Sequence, residues 1–297
     1  MELIKHGKNV HQLKAKGRDF KLAILSDLHW DNPKCDWDLL KRHMDYCLKN
    51  SIPIMLNGDT FCLMQGRGDR RSSKDDIRPE HNNARYLDSI VETAVEWFSP
   101  YAHLITVIGY GNHETAIIKW QETDILRRFI DLLNYTNNTN VQVGGYGGWF
   151  VISLDDKNTK GGSGGGATCK IKYFHGSGGG GVVTKGAINL TRALEIAEDF
   201  DVFTMGHIHE NSSRNDVRES LDFHPLIGYR VQQKQLHLMI TGTYKEEYGV
   251  GAGGWHVERG APPKPLGGRI LTFKIVREQK DKVSRYYKYI DSHKFNL

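Results

Sequence analysis

Residues 21–29 read KLAILSDLH: four consecutive apolar residues, Leu22 to Leu25, run directly into Ser26, Asp27 and His29. A short apolar run closed by polar residues reads as a buried strand. An acid and an imidazole just past its end stand where open α/β sheets bind ligands, outside the carboxyl ends of strands. The arrangement recurs. Ile52 to Asn57 (IPIMLN) leads into Asn57-Gly58-Asp59, and His103 to Gly109 leads into Gly111-Asn112-His113-Glu114. Thr168 to Phe174 precedes His175, and Val202 to Met205 precedes Gly206-His207-Ile208-His209.

Between these runs the apolar period changes to that of helices. Leu87, Ile90, Val91, Ala94, Val95 and Phe98 keep the i, i+3, i+4, i+7 spacing of an amphipathic helix over 84–98. Further helices are expected over 36–50, with Asp36 as N-cap, over 122–133 and over 190–197. Trp149 to Leu154 reads as one more strand, and runs at 235–241, 269–276 and 284–290 as added sheet. The expected fold class is α/β: one domain over 1–297, with a motif core over about 20–245 and C-terminal strands within 266–291 completing the sheet. The glycine-rich run at 161–166 reads as a hairpin loop.

With 39% apolar and 25% charged residues the chain has globular composition, which sets aside disordered and fibrous classes. It has no apolar run long enough to cross a membrane as a helix. Its start, MELIKHGKNV, is unlike a secretory leader, so the expectation is a cytoplasmic protein with no membrane partner. Cys35, Cys47, Cys62 and Cys169 form no CxxC pair, which suits free thiols. A charge of +5 is compatible with a phosphate-bearing substrate without singling out nucleic acid.

Fourteen histidines are the more informative count, because neutral imidazole is a common metal ligand. Carboxylates gathered at one sheet edge repel, and a cation between them resolves the conflict. Nitrogen and oxygen donors without cysteine suit Mn, Fe or Zn and argue against a structural zinc knot.

The ordered set D-x-H (Asp27, His29), G-D (Gly58, Asp59), G-N-H-E (Gly111 to Glu114), H (His175) and G-H-x-H (Gly206 to His209) resembles the signature of the calcineurin-like metallophosphoesterases. The resemblance covers roughly residues 20–245. It implies a two-sheet β-sandwich flanked by α-helices and a centre of two divalent ions, with Mn expected and Fe or Zn as alternatives. Carried over residue by residue, Asp27, His29 and His209 hold the first ion and Asp59 bridges both. Asn112, His175 and His207 hold the second, and His113 stands near the leaving group as general acid. Glu114 completes its motif without an assigned role. The implied catalytic set is thus His113, Asp59 and Asn112, in a hydrolase in which water activated between two ions attacks phosphorus.

One position departs from the pattern. Many relatives carry a carboxylate three residues after the bridging aspartate, where it orients the catalytic histidine; here that residue is Cys62. A thiol is a poor hydrogen-bond partner, which leaves open what orients His113.

The loop Gln65 to Lys74 carries Arg67, Arg70 and Arg71 close to Asp59 in sequence, and a cationic loop there is a candidate for substrate phosphate. A second candidate region is Gly242 to Pro265, where Tyr244, Tyr248, Trp255, His256 and Arg259 offer stacking surface for a base. Trp120 is a candidate pocket-lining or core residue. His43, His103, His224 and His237 read as structural.

The expected function is phosphodiester hydrolysis of nucleic acid or a nucleotide, because of the basic loop and a Gly58-Asp59-Thr60-Phe61 turn similar to that of repair nucleases. The alternatives are a phosphomonoesterase, since GNHE is also the form in protein phosphatases, and a non-catalytic metal-bound scaffold. Retention of His113 weighs against the scaffold.

Overall fold

The computed structural model describes residues 1–63, 73–155, 166–226, 228–249, 255–258, 260–280 and 283–295. In chain order the elements are β1 (Glu2–Gly7), β2 (Val10–Lys16), β3 (Asp19–Leu25), α1 (Trp37–Lys49), β4 (Ile54–Asn57), α2 (Tyr86–Phe98), β5 (Ile105–Gly109), α3 (Asn112–Gln121), α4 (Ile125–Asn137) and β6 (Gln142–Val143). They continue with β7 (Gly147–Asp155), β8 (Ala167–Phe174), α5 (Ala187–Ala193), β9 (Val202–Met205), β10 (Ser212–His224), β11 (Gly228–Ile240), α6 (Trp255–Glu258), β12 (Arg269–Lys280) and β13 (Val283–Lys294). The fold is mixed α/β with two mixed sheets, ordered β1-β2-β7-β8-β9-β11-β10 and β13-β12-β3-β4-β5-β6.

The two-residue period of β3 sets the layers. Phe20, Leu22 and Ile24 point into a core shared with Phe150, Ile152, Ile171, Val202 and Met239 of the other sheet. Ala23 and Leu25 point the opposite way, into a core with Leu40 and Met44 of α1, Ile90 and Phe98 of α2, and Phe129 of α4. Met55 and Ile54 divide between the same two cores along β4. Strands buried on both faces need near-continuous apolar sequence, as the Leu22–Leu25 run provides. A third cluster packs Leu190 and Ala193 of α5 onto Phe203, Leu236 and Leu238. Helices thus cover the outer face of each sheet. In α1, Asp36 caps as expected, accepting from the Leu39 N–H at 2.9 Å, and Leu40, His43, Met44 and Cys47 form the buried stripe.

Strands β3, β4 and β5 are parallel in one sheet, and β8 and β9 are parallel in the other. Their carboxyl ends open on the same end of the molecule, where the candidate ligands follow.

Several expectations need revision. β1 and β2 were not anticipated: β1 is largely exposed, and in β2 the polar His11 stands on the buried face that Leu13 and Ala15 continue. The helix expected over 122–133 is α4, over Ile125–Asn137, and a further helix, α3, precedes it and starts on Asn112 itself. β11 starts at Gly228, not near 235, because it pairs along its whole length with β10. The C-terminal strands run past residue 291, to Lys294. The glycine run at 161–165 lies outside the described residues. Among them, no helix is long and apolar enough to cross a membrane.

Three of the histidines buried outside the strand-end loops belong to α1, β2 and β11. His43 Nδ1 bonds the Tyr244 hydroxyl at 2.8 Å. His237 bonds Asn215 and Ser292, each at 2.7 Å. His11, in β2, is fully buried. Burial lowers each of these imidazoles to about 4. In the unfolded chain each titrates near its ordinary 6.5, so between pH 6.5 and 4 the unfolded state binds the extra protons. The contribution of these three should therefore be fully present above pH 6.5 and fall with pH through that window, by up to about 1.4 kcal/mol per unit for each histidine. Urea unfolding at several pH values checks this, and His237→Asn should flatten the dependence.

Candidate metal centre

Five segments that span 180 residues of sequence meet at the open end of the two sheets. Backbone hydrogen bonds stitch them: Asp27 N–H to Gly58 O at 3.0 Å, His29 N–H to Asp59 O at 3.1 Å, and Gly206 N–H to His175 O at 2.8 Å. Of the ten non-glycine residues with positive φ among those described, five are candidate ligands: Asp27 (53°), His29 (47°), Asp59 (48°), His207 (66°) and His209 (57°). Left-handed backbone costs an L-residue roughly 1–2 kcal/mol. Strain of this kind persists where packing over-determines it, and it clusters at functional sites.

The side chains gather in two adjoining groups. Asp27, His29 and His209 bring one ligand atom each within 4.8 Å of one another, as do Asp59, His175 and His207. His209 Nε2 lies 3.2 Å from Asp27 Oδ1, and His175 Nε2 lies 3.2 Å from Asp59 Oδ2. Asn112 Oδ1 joins the second group, 2.8 Å from His207 Nδ1 and 3.3 Å from His175 Nε2. His175 Nδ1 faces the Asn57 carbonyl at 2.9 Å. A proton held there would leave the Nε2 lone pair to a cation, the way a ligating imidazole is fixed in one tautomer.

Two observations fit this donor set to divalent cations. The ring nitrogens of His29 are both buried without a hydrogen-bond partner, which is costly unless one of them is a ligand. The carboxylates of Asp27 and Asp59 are 0% and 2% exposed, each at the edge of one imidazole group. Burial opposes ionisation of Asp59, yet His175, His113 and His29 hold it well below the usual carboxylate range. Burial pulls His175 down, and the Asp59 carboxylate overrides it and raises the ring to about 10. His29 is pushed far down by burial and by His113, and His207 down by burial and by His175.

Glu114 braces two of the loops. Its buried carboxylate accepts the N–H groups of Asp59 at 3.1 Å, Phe61 at 3.0 Å and Gly111 at 2.8 Å. Burial, then the neighbouring Asp59, pushes it up to about 8. Gly111 is the N-cap of α3, so Asn112, His113 and Glu114 form that helix's first turn.

His113 is held by main chain. Its Nδ1 lies 2.6 Å from the Cys62 carbonyl oxygen, and its Nε2 is 4.0 Å from Asp59 Oδ2. The Cys62 thiol accepts from Asn32 Nδ2 at 3.2 Å. Asp31 accepts the N–H groups of Cys62 and of Leu63, the latter at 2.9 Å, and so fixes the peptide that faces His113. Asp31 and Asn32 were missed in the sequence; their nearness to His29 was the only signal.

The other candidates divide. Arg67, Arg70 and Arg71 lie outside the described residues, as does Arg259. Tyr244 is no stacking platform: it is fully buried, and its hydroxyl bonds His43 and the Gly268 N–H. The Tyr248 hydroxyl donates to the Ala261 carbonyl. Trp120 is not core; it lies half-exposed near the far end of α3, below Lys119. Beside His209 a small pocket is lined by Lys245, Glu246, Glu247, Tyr248, Pro262 and Lys264. Lys245 pairs with Glu247 at 2.9 Å and Lys264 with Glu210 at 2.7 Å. All four cysteines are free and buried.

A Cβ on Gly206 would overlap Asp27 Oδ2 and Ser26 Oγ. Gly206→Ala should displace the Asp27 carboxylate and weaken Mn binding about tenfold or more, with the fold retained by circular dichroism. Titration calorimetry against the unaltered chain measures this.

No family model matches the chain, and no curated protein matches it. Among solved structures, the chain is similar over 95% of its length to 90% of a chain described as "GAP50 the anchor in the inner membrane complex of Plasmodium", at 11% identity and a TM-score of 0.42. At that score the likeness carries no argument.

Proposed function

We propose that the chain is a calcineurin-like metallophosphoesterase that hydrolyses phosphodiesters of nucleic acid or nucleotides with a pair of divalent ions, Mn foremost. The observation that carries this reading is the meeting of Asp27, His29, Asp59, Asn112, His175, His207 and His209 in two adjoining groups, five of these residues on left-handed backbone. The arrangement of two facing sheets with helices outside agrees with the two-sheet sandwich of that family.

Asp27, His29 and His209 would hold one ion, and Asn112, His175 and His207 the other, with Asp59 between the two groups. Two divalent ions there would lower the pKa of a water and take up charge on the phosphoryl oxygens. The chain's own residues do the rest. Asp59 accepts the His113 N–H at 3.0 Å, which ties its carboxylate to the first turn of α3. Glu114 locks the Asp59 loop to the first turn of α3, so Asn112 and His113 move with the ligand loop rather than against it. With Nδ1–H donating to the Cys62 carbonyl, His113 presents Nε2 to the cleft, where it can protonate the departing alkoxide oxygen. The orienting role that a carboxylate fills in many relatives falls to a backbone carbonyl. The lean to diesters rests on the basic stretch with Arg67, Arg70 and Arg71 that follows Asp59 and Leu63 in sequence.

Mn-dependent hydrolysis of bis(p-nitrophenyl) phosphate should exceed that of p-nitrophenyl phosphate. His113→Ala should lower kcat by about 10²–10⁴-fold while Mn remains bound, and Asp59→Asn should remove activity and Mn together. Preference for the monoester would turn the reading to a phosphomonoesterase. A metal-loaded chain inert toward every ester would leave the scaffold.

A further inference from the structure

β10 and β11 pair from Ser212 opposite Ile240 to His224 opposite Gly228. β9 covers only His237 to Ile240 of β11. Residues 228–236 and their β10 partners therefore leave the sheet as a two-stranded arm of about 30 Å, at about 3.3 Å per residue. Because β9 and β11 are parallel, the arm points away from the end that carries His207 and His209.

One face of the arm carries most of its exposed apolar residues together with Glu219, Gln233 and Gln235; the other carries Asp216, Arg218, Asp222, Arg230 and Lys234. Val217, Leu221, Phe223, Tyr229 and Val231 share a face and are each 61–74% exposed. Phe223 and Tyr229 are cross-strand partners with ring centroids 5.3 Å apart. This face continues the one that, nearer the body, places Met239 in the core between the sheets and His237 against Ser292 of β13. The arm thus extends that layer of the sandwich beyond His237, with these side chains exposed. A two-stranded ribbon alone is marginal in water.

The occupant follows from charge and area. Asp216, Glu219 and Asp222 balance Arg218, Arg230 and Lys234, so the arm is neutral in a chain of formal charge +5. Nucleic acid or an anionic membrane would call for cationic excess, whereas two neutral arms approach each other without repulsion. Two aromatics of about 200 Å² and three aliphatics, each exposed by roughly two thirds, offer on the order of 500 Å² per copy. Two copies reach the roughly 1,000 Å² at which a specific interface begins.

We propose that the β10–β11 arm is a homodimerisation element: the faces of two arms that carry Leu221, Phe223, Tyr229 and Val231 pack together about a two-fold axis. Sedimentation equilibrium of the full chain at micromolar concentration should give twice the 33.8 kDa chain mass. Leu221→Lys and Phe223→Lys should each weaken association about tenfold or more, whereas Ser220→Lys, the same charge on the opposite face, should leave it unchanged. Unaltered melting temperatures show that the variants fold. The proposal is overturned by a monomeric wild-type chain, by a dimer that survives both the Leu221 and the Phe223 variant, or by a monomer that instead partitions onto phosphatidylserine vesicles through Phe223.

Discussion

Three carboxylates, those of Asp27, Asp59 and Glu114, lie at one end of the sandwich with at most 2% exposure each. Gathering that much potential anionic charge away from water is the constraint to which the surrounding structure responds. Part of the compensation is main-chain: Glu114 takes three N–H groups, Asp27 takes the His207 N–H at 2.9 Å, and Asp59 takes the His113 N–H at 3.0 Å. Part is imidazole, through His175 against Asp59 and His209 against Asp27. The ring nitrogens of His29 are left without a hydrogen-bond partner.

The same constraint explains the backbone. To turn N–H groups inward toward carboxylates, the chain must reverse sharply just past the strand ends, and the left-handed residues do so. Ten or so kcal/mol of net stability is typical of a domain, so several strained residues are tolerable only on a rigid base. That base is the doubly buried β3–β4–β5 unit, together with β9 and the inward face of β8 in the other sheet.

Much of this was legible in the sequence because it depends on local pattern. The Leu22–Leu25 run, the stripe on α2 and the Asp36 cap each follow from period and residue type. So did the positions of the candidate ligands, since each follows a strand end. What escaped depends on partners distant in the chain. β10 is polar enough to read as loop and is a strand only because β11 lies beside it. Tyr244 sits among glycines, which suggested a mobile aromatic, yet its hydroxyl is gripped by His43, 201 residues away. The function of Glu114 was invisible because its partners are peptide groups, which every sequence contains.

Position 62 carries a related consequence. Where a carboxylate side chain aims an imidazole, exchanging that one residue loses the aim. Here the acceptor is a peptide oxygen held in place by Asp31, so the orientation of His113 is written into the path of the chain. The side chain at 62 is thereby released from that duty, and an inert, buried thiol can occupy a place that chemistry elsewhere reserves for an acid.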